Sequence, residues 1–197
     1  MPAHEIQGSR VVLSEKGPVF PEYLERSENY PVLKAAVDVC WDFATANEQK
    51  GKYKGVIMLL GGIEAIKRLT NEQPLQEGDH GHLDDGKYPG VLSLYSPEFG
   101  SHLGELKDSG IAVDSSSARI VYEGLFPFQN RVNEGGLADV YEIRGIKHGA
   151  RHGTAIEASE NPGIDLSIAV SEEAGTVMVF REGRAIRSLC YQPLRLR

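Results

Sequence analysis

The run Gly55-Val56-Ile57-Met58-Leu59-Leu60 constrains the fold more than any other stretch. Its length suits a strand, and its lack of apolar/polar alternation means that both faces need cover. Such a strand belongs inside a sheet with packing elements on each side. One of these lies just upstream. From Val32 to Ala46 the apolar positions Val32, Leu33, Ala36, Val37, Val39, Cys40, Phe43 and Ala44 recur at helical spacing. Asn29 stands where a helix cap belongs, and Pro31 where a first-turn proline does. Residues 51–54 turn the chain into the strand. Gly61-Gly62 ends it, and IEAIKRL (63–69) predicts a short second helix.

Further on, strand-like runs accumulate. They are VLSLY (91–95), GIAVD (110–114), ARIVYEG (118–124), LADVYEIR (137–144), DLSIAVS (165–171), GTVMVFRE (175–182) and AIRSL (185–189), with a short one at 10–13. Ser115–Ser117 reads as the turn of a hairpin. Ser96-Pro97-Glu98 reads as the opening of a helix that runs to about Leu106, and Thr154–Glu160 as another helix. Helices come early, and strands come late and in pairs. The expected fold class is therefore α/β of an α+β-like kind, a mixed β-sheet flanked by helices. The length of 197 residues fits one core, with 1–29 as an N-terminal extension and 30–197 as a single domain.

The formal charge of -7 argues against nucleic acid or an anionic membrane as partner. No apolar run approaches the roughly 18 residues of a membrane span, and MPAHEIQGSR lacks the apolar region of a signal peptide. The expectation is a cytoplasmic protein. Two cysteines, Cys40 and Cys190, read as buried thiols rather than a disulfide framework.

Against that acidic background, GIKHGARHGTA (145–155) gathers Lys147, His148, Arg151 and His152 between glycines, ahead of a helix. First-turn amides of a helix are unpaired and carry partial positive charge, so such an end accepts phosphate. Arg151 would bind phosphate oxygens, Thr154 would add a hydroxyl, and Gly149 and Gly153 would let a ligand approach the backbone. A solvated loop is the alternative reading. Asp79, His80 and His82, with Asp84 and Asp85 nearby, alternate in a way that could hold a divalent cation, or they form a solvated acidic loop.

The segment RHGTAIEASENPGIDLSIAVSEEAGTVMVFREGR (151–184) resembles the signature of the diadenylate cyclase family, the DisA N-terminal type. The matching positions are Arg151-His152, Thr154-Ala155, Ser159-Glu160, Asp165, Val170-Ser171-Glu172-Glu173 and Gly175. The resemblance extends more loosely back to about residue 30. It implies a DisA N-terminal-like sheet flanked by helices. It also implies that two monomers meet face to face, each holding one ATP with Mg or Mn, and join them into cyclic di-AMP. In that family an RHR turn binds phosphates, and the aspartate of a D-G-A motif binds metal and activates a 3′-hydroxyl. By the resemblance, Gly110, Gly149, Arg151, His152, Thr154, Ser171 and Glu172 would bind the nucleotide. Asp108 would be the metal and 3′-hydroxyl candidate, with Asp114 as the other carboxylate nearby.

The chain departs from the pattern at both motifs. D-G-A reads Asp108-Ser109-Gly110-Ile111, and the second arginine of RHR is Gly153. A carboxylate moved by one position on a strand points to the opposite face. The expectation is a homo-oligomeric domain that binds an adenine nucleotide or cyclic dinucleotide, a sensor with impaired or lost catalysis. The alternatives are an active nucleotidyltransferase making cyclic di-AMP, and an interaction domain without nucleotide.

Overall fold

The computed structural model describes residues 5–6, 9–10, 22–49, 55–70, 92–106, 110–124, 142–143, 146–147, 150–171 and 176–190. The elements in chain order are β1 (Glu5–Ile6), β2 (Ser9–Arg10), α1 (Glu22–Glu25), α2 (Tyr30–Gln49), β3 (Val56–Gly61), α3 (Ile63–Thr70) and α4 (Phe99–Glu105). There follow β4 (Gly110–Asp114), β5 (Ile120–Gly124), β6 (Glu142–Ile143), β7 (Ile146–Lys147), α5 (Ala150–Ser159), β8 (Ile164–Ser171), β9 (Thr176–Arg181) and β10 (Arg184–Cys190).

Six strands form one mixed sheet in the order β10-β9-β8-β3-β4-β5. The apolar run at 56–60 lies in its middle, parallel to β4 and antiparallel to β8. Every residue of β3 is buried, as a run without alternation requires. Val56, Met58 and Leu60 pack with α2 and α4 on one face. Ile57 and Leu59 pack with α3 and α5 on the other. The mixed sheet with helices on both faces matches the coarse expectation. Each fully buried Leu, Ile or Met contributes about 1.5–3 kcal/mol, so the two-sided burial of β3 is a main source of stability.

Helix α2 starts where the Asn29-Pro31 signal places it, and the carbonyl of Asn29 accepts from the amides of Val32 and Leu33, both at 3.0 Å. The Asn29 side chain does not cap. Its Nδ2 donates instead to Asp165 Oδ2 at 3.4 Å, joining the start of α2 to β8. On the opposite face of the sheet, Ser167 Oγ on β8 donates to the Ala155 carbonyl of α5. His102 on α4 and Glu123 on β5 meet at 3.0 Å with both side chains almost wholly enclosed. Leu24, in the segment read as an extension, is fully buried among the core residues packed with α2.

Three boundaries differ from expectation. The described part of VLSLY, residues 92–95, is not a strand. Its pairing is the single bridge Ser93↔Arg119, and the Ser96 amide turns back onto the Ser93 carbonyl at 2.8 Å before a ladder can extend. Helix α4 begins at Phe99 rather than at Ser96-Pro97. Helix α5 begins at Ala150, four residues before Thr154, so the supposed glycine turn around Arg151 is itself the first turn of the helix. The hairpin through Ser115–Ser117 is present between β4 and β5. Of 10–13 only Arg10 is described, paired with Glu5; of 137–144 only Glu142–Ile143 is, paired with Ile146–Lys147. Cys40 is fully buried, and burial pushes its thiol well above the ordinary value, which keeps it in the unreactive protonated form. Among the described residues no helix is long and apolar enough to cross a membrane.

Candidate functional site

The strand registers bring three small residues to one end of the sheet. Ile57 pairs with Gly110, Val56 with Val170, and Ser171 with Thr176. Side chains alternate along a strand, so Gly55 shares a face with Ile57, Gly110 with Ala112, and Ser171 with Ala169. Ile57, Ala112 and Ala169 all belong to the core under α3 and α5. Gly55, Gly110 and Ser171 thus form a low floor at the end of the sheet where α5 starts.

Arg151, in the first turn of α5, lies over that floor. A Cβ built on Gly55 would stand 2.6 Å from Cζ of Arg151, closer than real side-chain carbons approach anything. Gly55 is therefore what lets the guanidinium settle against the backbone at the start of β3. Sequence reasoning used Gly55 only as the start of a strand. Its signal was available: a glycine directly ahead of a fully buried strand, with Gly110 opening the parallel neighbour.

Arg151 is partly exposed, while the residues after it are enclosed. His152 is 3% exposed and meets the Phe180 ring edge-on, with centroids 6.4 Å apart and planes at 82°. Its ring packs between α5 and β9 rather than standing at the surface. Thr154 is fully buried, and its Oγ1 has no hydrogen-bond partner among the described residues. Gly153 is also buried, so the position where the family pattern carries a second arginine faces no solvent.

The structure thus brings Gly110, Arg151 and Ser171 together and adds Gly55. It does not bring Asp114 to them. Asp114 closes the far end of β4, four residues from Gly110, which is about 13 Å along a strand. Asp108, Gly149, Glu172, Asp79, His80 and His82 lie outside the described residues, as does His148, and Lys147 is described only as backbone in β7. For a divalent ion the described part of the site fits poorly. None of Gly55, Gly110, Arg151 and Ser171 is a carboxylate, and among the described residues no group of three or more His, Cys, Asp or Glu could hold a metal. What the described residues do offer is the Arg151 guanidinium, seated on the Gly55 backbone, and the positive end of a ten-residue helix. That combination is complementary to an anion.

Asp114 has a structural task instead. Its Oδ2 accepts from Ser116 Oγ at 2.6 Å, Ser117 Oγ at 2.6 Å and the Ser117 amide at 2.9 Å, which shapes the β4–β5 turn. Burial pushes its carboxyl up, but these hydrogen bonds outweigh burial and hold it below the ordinary value of 3.8. A depressed folded-state value contributes stability above the unfolded value, and that contribution is lost as pH falls through the folded one. Asp114→Asn is expected to cost about 2 kcal/mol at neutral pH, as for hydrogen bonds to a charged group. It is also expected to flatten the decline of stability below about pH 4. Urea unfolding of both proteins between neutral and acid pH measures this, and an unchanged acid profile would refute it.

With this geometry in view, comparison with known proteins adds no kinship: the sequence matches neither a protein-family model nor a curated protein.

Proposed function

We propose that the chain is a nucleotide-binding domain of the diadenylate cyclase kind, with a DisA N-terminal-like sheet and weakened or lost catalysis. The observation that carries this reading is the convergence of Gly55, Gly110, Ser171 and Arg151 at one end and one face of the sheet. Three of these four, Gly110, Arg151 and Ser171, are positions that the sequence resemblance assigns to the nucleotide, and they lie 20 residues apart in the chain at their closest. The phosphates of an adenine nucleotide or cyclic dinucleotide would lie against Arg151 and the start of α5. His152 would set the orientation of that helix through its packing on Phe180.

Lost catalysis follows from two departures. Ser109 stands where the family pattern has its aspartate next to the glycine, and buried Gly153 supplies no second cation. Phosphoryl transfer depends on positioning and on positive charge at the phosphates, so both losses strike the transition state more than binding. Mg or Mn, if bound with ATP, would supply charge neutralisation there, and this chain's own part is to hold and orient the phosphates.

The test is a panel of ATP, GTP and cyclic di-AMP, with and without manganese, read by calorimetry and by product analysis. The expected result is binding of an adenine nucleotide, lost in Arg151→Ala, with no cyclic dinucleotide formed. Robust product formation would show the active nucleotidyltransferase instead. Absence of binding to every member of the panel would leave the interaction domain.

A further inference from the structure

The opposite end of the sheet holds a cleft of about 520 Å³, within the range of small-molecule sites. It opens at the carboxyl ends of the two parallel strands β3 and β4, where the chain turns from Gly61-Gly62 into α3. Open α/β sheets commonly bind ligands in this place. The Gly62 amide is used by the Gly163 carbonyl at 3.0 Å, and the amides of Ala65 and Ile66 by the Gly62 carbonyl. The amides of Ile63 and Glu64, at the positive end of this eight-residue helix, have no partner among the described residues. Gly62 leaves the approach open: a Cβ there would meet nothing within 4 Å.

A second observation is independent of the helix. Ser115 lines the same cleft, is 3% exposed, and its Oγ has no hydrogen-bond partner among the described residues. Its amide donates to the Gly61 carbonyl at 3.0 Å, which fixes it beside the start of α3. A buried hydroxyl without a partner is unfavourable, so the cleft lacks a group able to accept from it.

The acceptors of the cleft are distinct from these donors. Asp165 takes Asn29 Nδ2 on Oδ2, and Asp114 takes the hydroxyls of Ser116 and Ser117 and the Ser117 amide on Oδ2, with the Ser116 amide also directed at its carboxylate. Asp165 keeps its other oxygen for a further donor, and Asp114 adds its negative charge nearby. Asp114, Asp165 and Glu64 face one cation, Arg68, so the lining carries a net negative charge that disfavours a plain anion such as phosphate. Among the described lining residues none is aromatic, so a sugar ring or a base would find no stacking surface.

We infer that this cleft binds a small zwitterion, a free α-amino acid. Its carboxylate accepts from the amides of Ile63 and Glu64 and from the Ser115 hydroxyl. Its ammonium donates to Asp165 and is further held by the negative charge of Asp114. One molecule with both charges answers the unpaired donors and the surplus carboxylates together, which neither a simple anion nor a simple amine does. The inference does not depend on the nucleotide reading, because the cleft and the Arg151 floor lie at opposite ends of the sheet.

Calorimetry and thermal melting of the full chain against the twenty free amino acids test it. Inorganic phosphate, and the N-acetyl derivative and methyl ester of whichever amino acid binds best, serve as comparisons. At least one amino acid is expected to bind and raise the melting temperature, and each single-charge derivative to bind at least about tenfold more weakly. Ser115→Ala is expected to weaken binding about tenfold with the unliganded melting temperature nearly kept, and ATP not to compete. Asp165→Asn should weaken the amino acid while leaving any phosphate binding unchanged. The inference is overturned by no binding across the twenty, by phosphate binding as tightly as the best amino acid, by derivatives that bind equally well, or by competition from ATP.

Discussion

Valine in place of Gly61 is expected to destabilise the fold by about 3 kcal/mol, the upper end of the range for overpacking. Gly61 ends β3 in the register shift against β8. A Cβ there would stand 2.5 Å from the Gly163 carbonyl oxygen, 2.9 Å from Ile164 Cδ1 and 3.0 Å from Ile164 Cα. Two of these three atoms are backbone and cannot swing aside. Relief would require parting β3 from β8, the pairing at the middle of the sheet. Gly163 cannot yield either, because its φ of +89° already lies in the left-handed region and a Cβ on it would be 2.8 Å from Ala65 Cβ. With a total stability of about 5–15 kcal/mol expected for a domain, such a loss is large. The control is the next residue. Gly62→Ala meets nothing within 4 Å and is expected to change stability by less than about 0.5 kcal/mol. Urea midpoints of the two variants measure the contrast, and equal effects would refute it.

Alanine at Gly55 is expected to do the reverse, sparing the fold and damaging binding. The atoms that its Cβ would meet are Nε, Cζ and a terminal nitrogen of Arg151, the far end of a flexible side chain that can move away. Stability should change little. The guanidinium would leave the floor formed by Gly55, Gly110 and Ser171, and the charge-assisted bonds proposed for it with phosphate oxygens would be lost or misaimed. Such bonds are worth about 1.5–3 kcal/mol, so affinity for the nucleotide should fall about 10- to 100-fold. Calorimetry with the best-binding nucleotide, beside a melting curve, separates the two effects. Unchanged affinity in a folded Gly55→Ala protein would remove Arg151 from the proposed contact.

How much of this was legible in the sequence varied with how local the cause was. The central strand was plain because its reason is carried by its own residues: Val56 to Leu60 offer no polar face to solvent. The Ser115–Ser117 turn was plain for a similar reason, since Asp114 and the serines that bond to it are neighbours. VLSLY misled because Leu92, Leu94 and Tyr95 look like a strand, while a turn bond between Ser96 and Ser93 ends the pairing at one bridge. The start of α5 misled because Gly149 and Gly153 look like turn residues. Glycine inside a helix costs only about 1 kcal/mol, and the burial of His152 and Ala155 against the sheet outweighs it. The floor under Arg151 and the cleft beside Gly62 depend on register, which sets Gly110 beside Ile57 and Asp114 beside Gly61. Register between distant strands is not written in either strand alone.

The central place of β3 also has a consequence for the order in which the protein assembles. Its parallel partner β4 begins about 50 residues later, and its antiparallel partner β8 about 100 residues later. During synthesis from the N-terminus, an uncharged, strand-prone hexapeptide therefore waits with both edges open until β4 has emerged, and with one edge open until β8 has. Loops of that length close slowly, so refolding should be slow for the size of the chain. Helix α2 is already made by then and can shelter one face of the waiting strand. The other face has only α3 until α5 arrives. Isolated N-terminal fragments ending before β8 should therefore aggregate rather than fold, with β3 as the adhesive segment.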